Sequence, residues 1–198
     1  HKTGYMGEDC SGIFDDVTLF GYMFCYYYIR FEPENCFVAV DSSKDRVVAY
    51  IIGTPDAQGY QASFSKKVIP RIILRMIFVT LWRYNKAFKQ VLSWNSRHET
   101  KENSLPNEKF KAHLHINVLP GYQRLGIGKK LISLFENRLK EKGISGVYLE
   151  TSNYNSKALP FYEKNGFSLH HQSQEDFWSG VTDHKKMTFV KTLNSKTP

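Results

Sequence analysis

Residues 112–171 alternate between two hydrophobic periods. Leu114, Ile116 and Val118 recur at every second position and stop before Pro120, which predicts a half-buried strand over 112–119. From 128 to 142 the spacing changes to that of a helix, with Leu131, Ile132, Phe135 and Leu139 on one face and Gly143 as a stop. Residues 146–151 predict another strand and 155–164 a second helix closed by Asn165-Gly166, and 167–171 and 186–192 read as two closing strands. The order strand, helix, strand, helix, strand implies an α/β fold with at least one parallel pair, because such crossovers join parallel neighbours. Upstream, 17–29 is a Tyr- and Phe-rich helix or buried segment ended by a turn at 31–35. The β-branched runs 36–40 and 46–53 predict a hairpin. Between hairpin and central strand lies a helical insert, about 60–98, followed by a polar loop over 95–109. No repeat or linker divides the chain, so 1–198 is expected to form one domain.

On a helical projection of 71–92, Ile73, Leu74, Ile77, Leu81, Phe88, Val91 and Leu92 gather on one arc, expected inward, and Arg71, Arg75, Arg83, Lys86 and Lys89 on the other. Charge sharpens this picture. The net +8 comes from one region: between Asp56 and Glu99 there is no acid, against eight cations at 66, 67, 71, 75, 83, 86, 89 and 97. A solvated face, or a docking surface for coenzyme phosphates, an anionic membrane or nucleic acid, would suit it, although no nucleic-acid motif accompanies it. An apolar arc of this width needs cover from its own sheet or from a second copy, so a homodimer is expected, with the cations rimming an acceptor cleft.

Composition changes little else. Hydrophobic residues make up 41% and charged residues 23%, which is ordinary for a globular chain and excludes pervasive disorder. Cys10, Cys25 and Cys36 form an odd set without metal-ligand spacing, arguing for a reducing compartment and against a disulfide framework or zinc site. The longest uninterrupted apolar run, 19–29, has eleven residues, too few to span a bilayer. The chain opens at His1 with neither signal-peptide nor transit-peptide character. A cytoplasmic or nucleocytoplasmic location is expected, with a first strand possible ahead of the sequence.

The candidate chemistry lies at 123–128, Gln-Arg-Leu-Gly-Ile-Gly, between the predicted strand and helix. Glycines there permit a tight turn, and unpaired N–H groups at a helix N-terminus bind phosphate oxygens with the helix dipole in support. Arg124, Lys129 and Lys130 add positive charge. The spacing matches neither a Walker A loop nor the dinucleotide fingerprint. It does have the Q/R-x-x-G-x-G/A form of the acetyl-CoA signature of GNAT acyltransferases. Residues 155–167, NSKALPFYEKNGF, resemble that family's second signature, N-x-x-A-x-x-F-Y-x-x-x-G-F. The resemblance runs from about Phe37 to the C-terminus. More narrowly, AHLHINVLPGYQRLGIGKKL resembles microbial relatives of the acetyltransferase-like C-terminal domain of O-GlcNAc hydrolases, a domain regarded as a pseudo-acetyltransferase.

The resemblance implies the GNAT acyl-CoA N-acyltransferase fold, a mixed twisted sheet flanked by helices, with the insert before the central strand. It implies acetyl-CoA as co-substrate and no metal. Asn117, Val118 and Leu119 would be the rail for pantetheine. The N–H groups of Leu125, Gly126, Ile127, Gly128 and Lys129, with Gln123 and Arg124 beside them, would cradle the pyrophosphate. Asn155 would bond the pantetheine arm or act as a plain N-cap. Tyr162 aligns with the tyrosine that protonates the departing thiolate, a role a phenol can fill.

Amine acetylation also needs a base. His113, His115 and Asn117 share one face of their strand by alternation. His113 stands where some family members carry a basic glutamate. His113, His115 and Glu150 are the candidates, and either histidine could instead be structural. Asn117 stands where Asp is expected, and an amide cannot act as a base. Pro160 falls inside the predicted second helix, so it should kink that helix or delay its start. The expected activity is direct transfer of acetyl from acetyl-CoA to an amine in a ternary complex. The alternative is an inactive module that binds acyl-CoA or a protein partner.

Overall fold

A computed structural model describes residues 1–95, 109–174 and 181–193. Its centre is a six-stranded mixed sheet in the order β1-β2-β3-β4-β6-β5. The hairpin forms as read: β1 (Phe37–Asp41) and β2 (Arg46–Thr54) are antiparallel, and the Asp41 carboxylate closes the turn by accepting the Ser43 amide. Next come β3 (Ala112–Val118), antiparallel to β2, and β4 (Gly146–Ser152), parallel to β3. β6 (Lys185–Thr192) lies antiparallel to β4, and β5 (Ser168–Gln174) forms the edge beside it.

One face of the sheet is covered by the crossover helix α7 (Ile127–Glu141), whose Leu131, Ile132, Phe135 and Leu139 pack on Ile51, Leu114 and Leu149. The other face carries the chain that precedes the sheet and the insert. Residues 17–31 form two helices, α1 (Val17–Phe24) and α2 (Tyr26–Phe31), broken at Cys25. Their Leu19, Tyr27 and Tyr28 pack with Phe14, Ile52, Val68 and Ile72 in a second core.

The insert departs from the single helix that its periodicity implies. It runs as α3 (Ala57–Lys67), α4 (Ile69–Arg75), a π turn (Met76–Thr80), α5 (Leu81–Arg83) and α6 (Asn85–Asn95), with a break at Tyr84. The expected sidedness of α4 and α5 holds for Arg71 and Arg83, which stay exposed, and fails for Arg75 and the apolar arc. Arg75 turns inward, its Nε and Nη2 donating at 3.0 and 2.7 Å to the buried Asp16 carboxylate, and Thr80 Oγ1 donates to the same group at 2.7 Å. Ile73, Leu74, Ile77 and Leu81 are exposed instead. The π turn accounts for part of this, because its extra residue per turn retards the helix phase and brings Thr80 around onto Asp16.

The last helix, α8 (Leu159–Lys164), begins four residues later than the motif suggests. Pro160 sits in its first turn, where a missing N–H costs nothing, so it delays the start and leaves no kink. Ahead of β1, the described residues before α1 hold a single bridge between Tyr5 and Glu8. The polar loop read at 95–109 falls almost wholly outside the described residues.

Candidate functional site

β3 and β4 pair only at Ala112–Val147 and His113–Tyr148, then diverge. On its other edge β3 stays bonded to β2, where the Leu119 amide donates to the Val48 carbonyl at 2.9 Å. Antiparallel pairs alternate, so with Leu119 and Asn117 directing their main-chain groups to β2, Ile116 and Val118 direct theirs into the opening. Of the residues expected from sequence to form a rail, Leu119 spends its N–H within the sheet, whereas Ile116, which the motif reading missed, faces the opening with Val118.

The opening leads to a cavity of about 640 Å³ bounded by Ile116, Val118, the 123–129 loop and α8. Gly126 has φ +79, in the left-handed region where glycine is strain-free. A Cβ on Gly128 would stand 2.9 Å from Phe161 Cζ, so this glycine lets α7 approach α8. The first helical bond of α7 at this end is Lys130 N–H to Gly126 O, which leaves the N–H groups of Ile127, Gly128 and Lys129 unspent within the helix. Leu125 points to solvent, so only its backbone can serve a ligand. Gln123 lines the cavity while its Nε2 donates to Val118 O at 3.2 Å, tying the loop to the strand. Arg124, Lys129, Lys157 and Lys164 make the lining cationic. None of the described insert cations lines this cavity or the next, so they do not rim the cleft as the sequence suggested.

A second cavity, of about 290 Å³, lies toward α1. It is lined by Glu150, His115, Tyr50, Phe20, His184 and Lys186, among others. The two cavities share Thr3, Gly7, Ile116, Asn117, Asn155 and Tyr162. Tyr162 is therefore buried at the junction, and burial pushes its phenol up to about 12. Glu150 lies 3.5 Å from the Lys186 ammonium.

The two histidines separate. His115 lines the smaller cavity, with burial pulling its imidazole down to about 3. His113 lines neither cavity. It is packed between His115 and Tyr148 with Nδ1 3.4 Å from the Tyr28 hydroxyl, and burial holds it at about 4. Desolvation disfavours the imidazolium in both, so each is neutral near pH 7. His113 is thus enclosed by His115, Tyr148 and Tyr28, away from both cavities. Asn117 is fixed on two sides: it accepts from Thr3 Oγ1 at 2.8 Å and donates to Tyr50 Oη at 2.7 Å. Asn155 lies four residues before α8 and does not cap it. Its carbonyl accepts the Ala158 amide at 2.9 Å and its side chain reaches Thr151 Oγ1 at 3.3 Å.

The segment 1–8 crosses this junction. Gly7, at φ +93, passes so close to Asn155 that a Cβ would lie 2.9 Å from its Oδ1, and Glu8 pairs with Lys157 at 2.7 Å. Sequence reasoning missed Thr3, Gly7, Tyr50, His184 and Lys186. No local pattern marks them, since they reach the junction only through tertiary packing. Phe161 could have been found, because it is the F of the F-Y pair.

A family model described as the acetyltransferase (GNAT) family matches residues 9–167, beginning well upstream of the Phe37 that the motifs suggested. Solved structures share the architecture. The crystal structure of SsHAT is 24% identical, with 98% of this chain and 89% of that one aligned and a TM-score of 0.71. Chaetomium thermophilum Naa20 in complex with a bisubstrate analogue is 16% identical over 86% and 72%, with a TM-score of 0.53. A NatC complex bound to Gag peptide and CoA is 15% identical over 85% and 77%, with a TM-score of 0.50. At these identities the likeness is one of fold.

Proposed function

The chain belongs to the acetyltransferase (GNAT) family, and from that premise we propose that it transfers acetyl from acetyl-CoA to an amine by direct attack within a ternary complex. One observation carries the reading: a phosphate-suited cavity and a smaller, carboxylate-bearing cavity meet at Tyr162 in the opening between β3 and β4. Pyrophosphate would lie against the N–H groups of 127–129 with Arg124 and Lys129 near. Pantetheine would run along the main chain of Ile116 and Val118, and Asn155 would stand beside its arm.

The acceptor enters the smaller cavity as an ammonium and must lose a proton before its nitrogen can attack the thioester carbon. Glu150 takes that proton, directly or through water. His113 stands outside the cavities. His115 is neutral and cannot draw in a cation, whereas the Glu150 carboxylate can. As the C–N bond forms, the C–S bond breaks, the sulfur keeps the electron pair, and the nitrogen loses its second proton to water, which restores the proton that Tyr162 gives to the sulfur. Tyr162, still protonated at neutral pH, presents its hydroxyl to that thiolate. Burial raises a thiol as it raises a phenol, which narrows the gap between donor and acceptor.

The test is thiol release from acetyl-CoA across a panel of amines, with calorimetry for coenzyme binding. Glu150→Gln is expected to lower kcat about a hundredfold with acetyl-CoA affinity kept, and Tyr162→Phe to lower kcat with little change in affinity. Unchanged turnover in Glu150→Gln would move the base to His115. Coenzyme binding without thiol release from any amine would favour the inactive module suggested by the resemblance to the O-GlcNAc hydrolase-associated domain.

A further inference from the structure

Helices α4 and α5 and the π turn between them expose an apolar surface that, among the described residues, stays open to solvent. Ile73, Leu74, Ile77, Phe78, Leu81 and Trp82 all point outward, and the aromatic pair is the most exposed, Phe78 at 71% and Trp82 at 81%. The two are held by regular structure: they lie on α5 and the π turn, and Trp82 Nε1 donates to the Ile77 carbonyl at 3.0 Å. Contiguous apolar patches of this kind on a folded chain mark a contact surface.

Charge selects what covers it. Lys66, Lys67, Arg71, Arg83, Lys86 and Lys89 are exposed on the same insert, with Lys67 and Arg71 over the Phe31 and Tyr26 rings and Lys86 donating to the Gly12 carbonyl, and no acid occurs between Asp56 and Glu99. A second copy docked face to face would set these cations against their own kind, with no acid on the segment to offset them. Nucleic acid would satisfy the cations and leave six large apolar side chains in water. A surface that is anionic outside and hydrocarbon within satisfies both. Arg75, whose charge the Asp16 carboxylate meets, is withdrawn from this face. No described helix is long and apolar enough to cross a membrane, so contact means lying in the head-group layer.

We propose that the α4–α5 face, with the exposed Phe78 and Trp82 and helped by the exposed lysines and arginines of the same insert, seats the protein on an anionic lipid surface. Trp82 and Phe78 enter the boundary between head groups and acyl chains, and the cations contact lipid phosphates and carboxylates. The proposal uses none of the acyl-transfer residues, so it stands or falls separately from the catalytic reading.

The test is co-sedimentation of the full chain with vesicles of phosphatidylcholine alone and of phosphatidylcholine mixed with phosphatidylserine. Sedimentation is expected with the mixed vesicles, weakened by salt, and much less with the neutral ones. Phe78→Ser with Trp82→Ser is expected to lower affinity for mixed vesicles at least about tenfold. Lys67→Gln and Arg71→Gln should each lower it about fivefold. Both aromatic side chains are exposed, so an unchanged thermal midpoint in the double variant certifies its fold, and Phe78→Leu with Trp82→Leu is the backup should it fail. Failure of the parent chain to sediment with mixed vesicles, or equal binding by the folded double variant, overturns the proposal. So does sedimentation equilibrium showing a dimer that the double variant dissociates, because the face would then belong to a second copy.

Discussion

Gly126 and Gly128 occupy one motif for different reasons. The first is needed for its positive φ and has open space where a side chain would go. The second has an ordinary backbone and no space, because Phe161 stands where a Cβ would lie. Gly128→Ala must therefore displace Phe161, a wall of the larger cavity. Overpacking of this kind costs about 1–3 kcal/mol, and acetyl-CoA affinity measured by calorimetry is expected to fall about tenfold or more with it. Affinity equal to the parent chain would mean that Phe161 is not part of the wall the coenzyme meets. The spacing of QRLGIG and of NSKALPFYEKNGF made these residues and Tyr162 legible, because a phosphate turn and a helix-borne tyrosine are local features. Thr3 and Asn117 were not legible as partners, since 114 positions separate them and neither lies in a motif that names the other. His113 and His115 read as equivalent by alternation. Only the packing of Tyr28 and Tyr148 around His113 separates the enclosed ring from the one at the cavity.

At the scale of elements, strands and the crossover helix followed their periods closely, while the insert did not. A projection at constant angle assumes one uninterrupted helix, and the π turn and the break at Tyr84 violate that assumption. The projection also treats an arginine as solvent-seeking, whereas Arg75 is drawn inward by Asp16, an acid on another element. Asp16 joins the two elements: it caps α1 through the Leu19 amide and binds Arg75 and Thr80. Burial alone would raise its carboxyl, yet the bonds from Arg75, Leu19 and Thr80 outweigh it and hold the pKa below the usual carboxylate range. Asp16→Ala leaves Arg75 half-buried without its partner, and a loss of about 3 kcal/mol is expected, seen as a thermal midpoint lower by roughly 10 °C. The pH sign follows from the depressed pKa. The parent chain keeps this stabilisation above the ordinary carboxylate value and loses it as pH falls toward the folded-state value, and the variant should lack that part of the acid limb. Equal midpoints for the two chains at neutral pH would show that the ion pair does not hold the insert.

Across the whole molecule, the segment 1–8 reaches from the Asn117 side of the opening to the Lys157 side, and its contacts tie β3 to the turn before α8. Family membership, the hairpin and a parallel strand pair were within reach of the sequence, because two motifs and the order of periods carry them. This bridging was not, because it depends on where the chain's start lands in space. The brief pairing of β3 with β4 has a further consequence, which concerns time. With two residue pairs joining the halves of the sheet, the amides of Ile116 and Val118 have no strand beside them, so fast exchange of their protons with water is expected. A ligand laid along β3 would take the place of the missing strand and silence that exchange. Deuterium uptake at 116 and 118 is expected to be fast in the free protein and slowed at least about tenfold with saturating acetyl-CoA, while uptake in β1 stays as it was. Equal uptake with and without coenzyme would mean that the gap is filled by something other than pantetheine. The same substitution would make the coenzyme a temporary structural member, so that each turnover would knit the sheet on loading and part it on release.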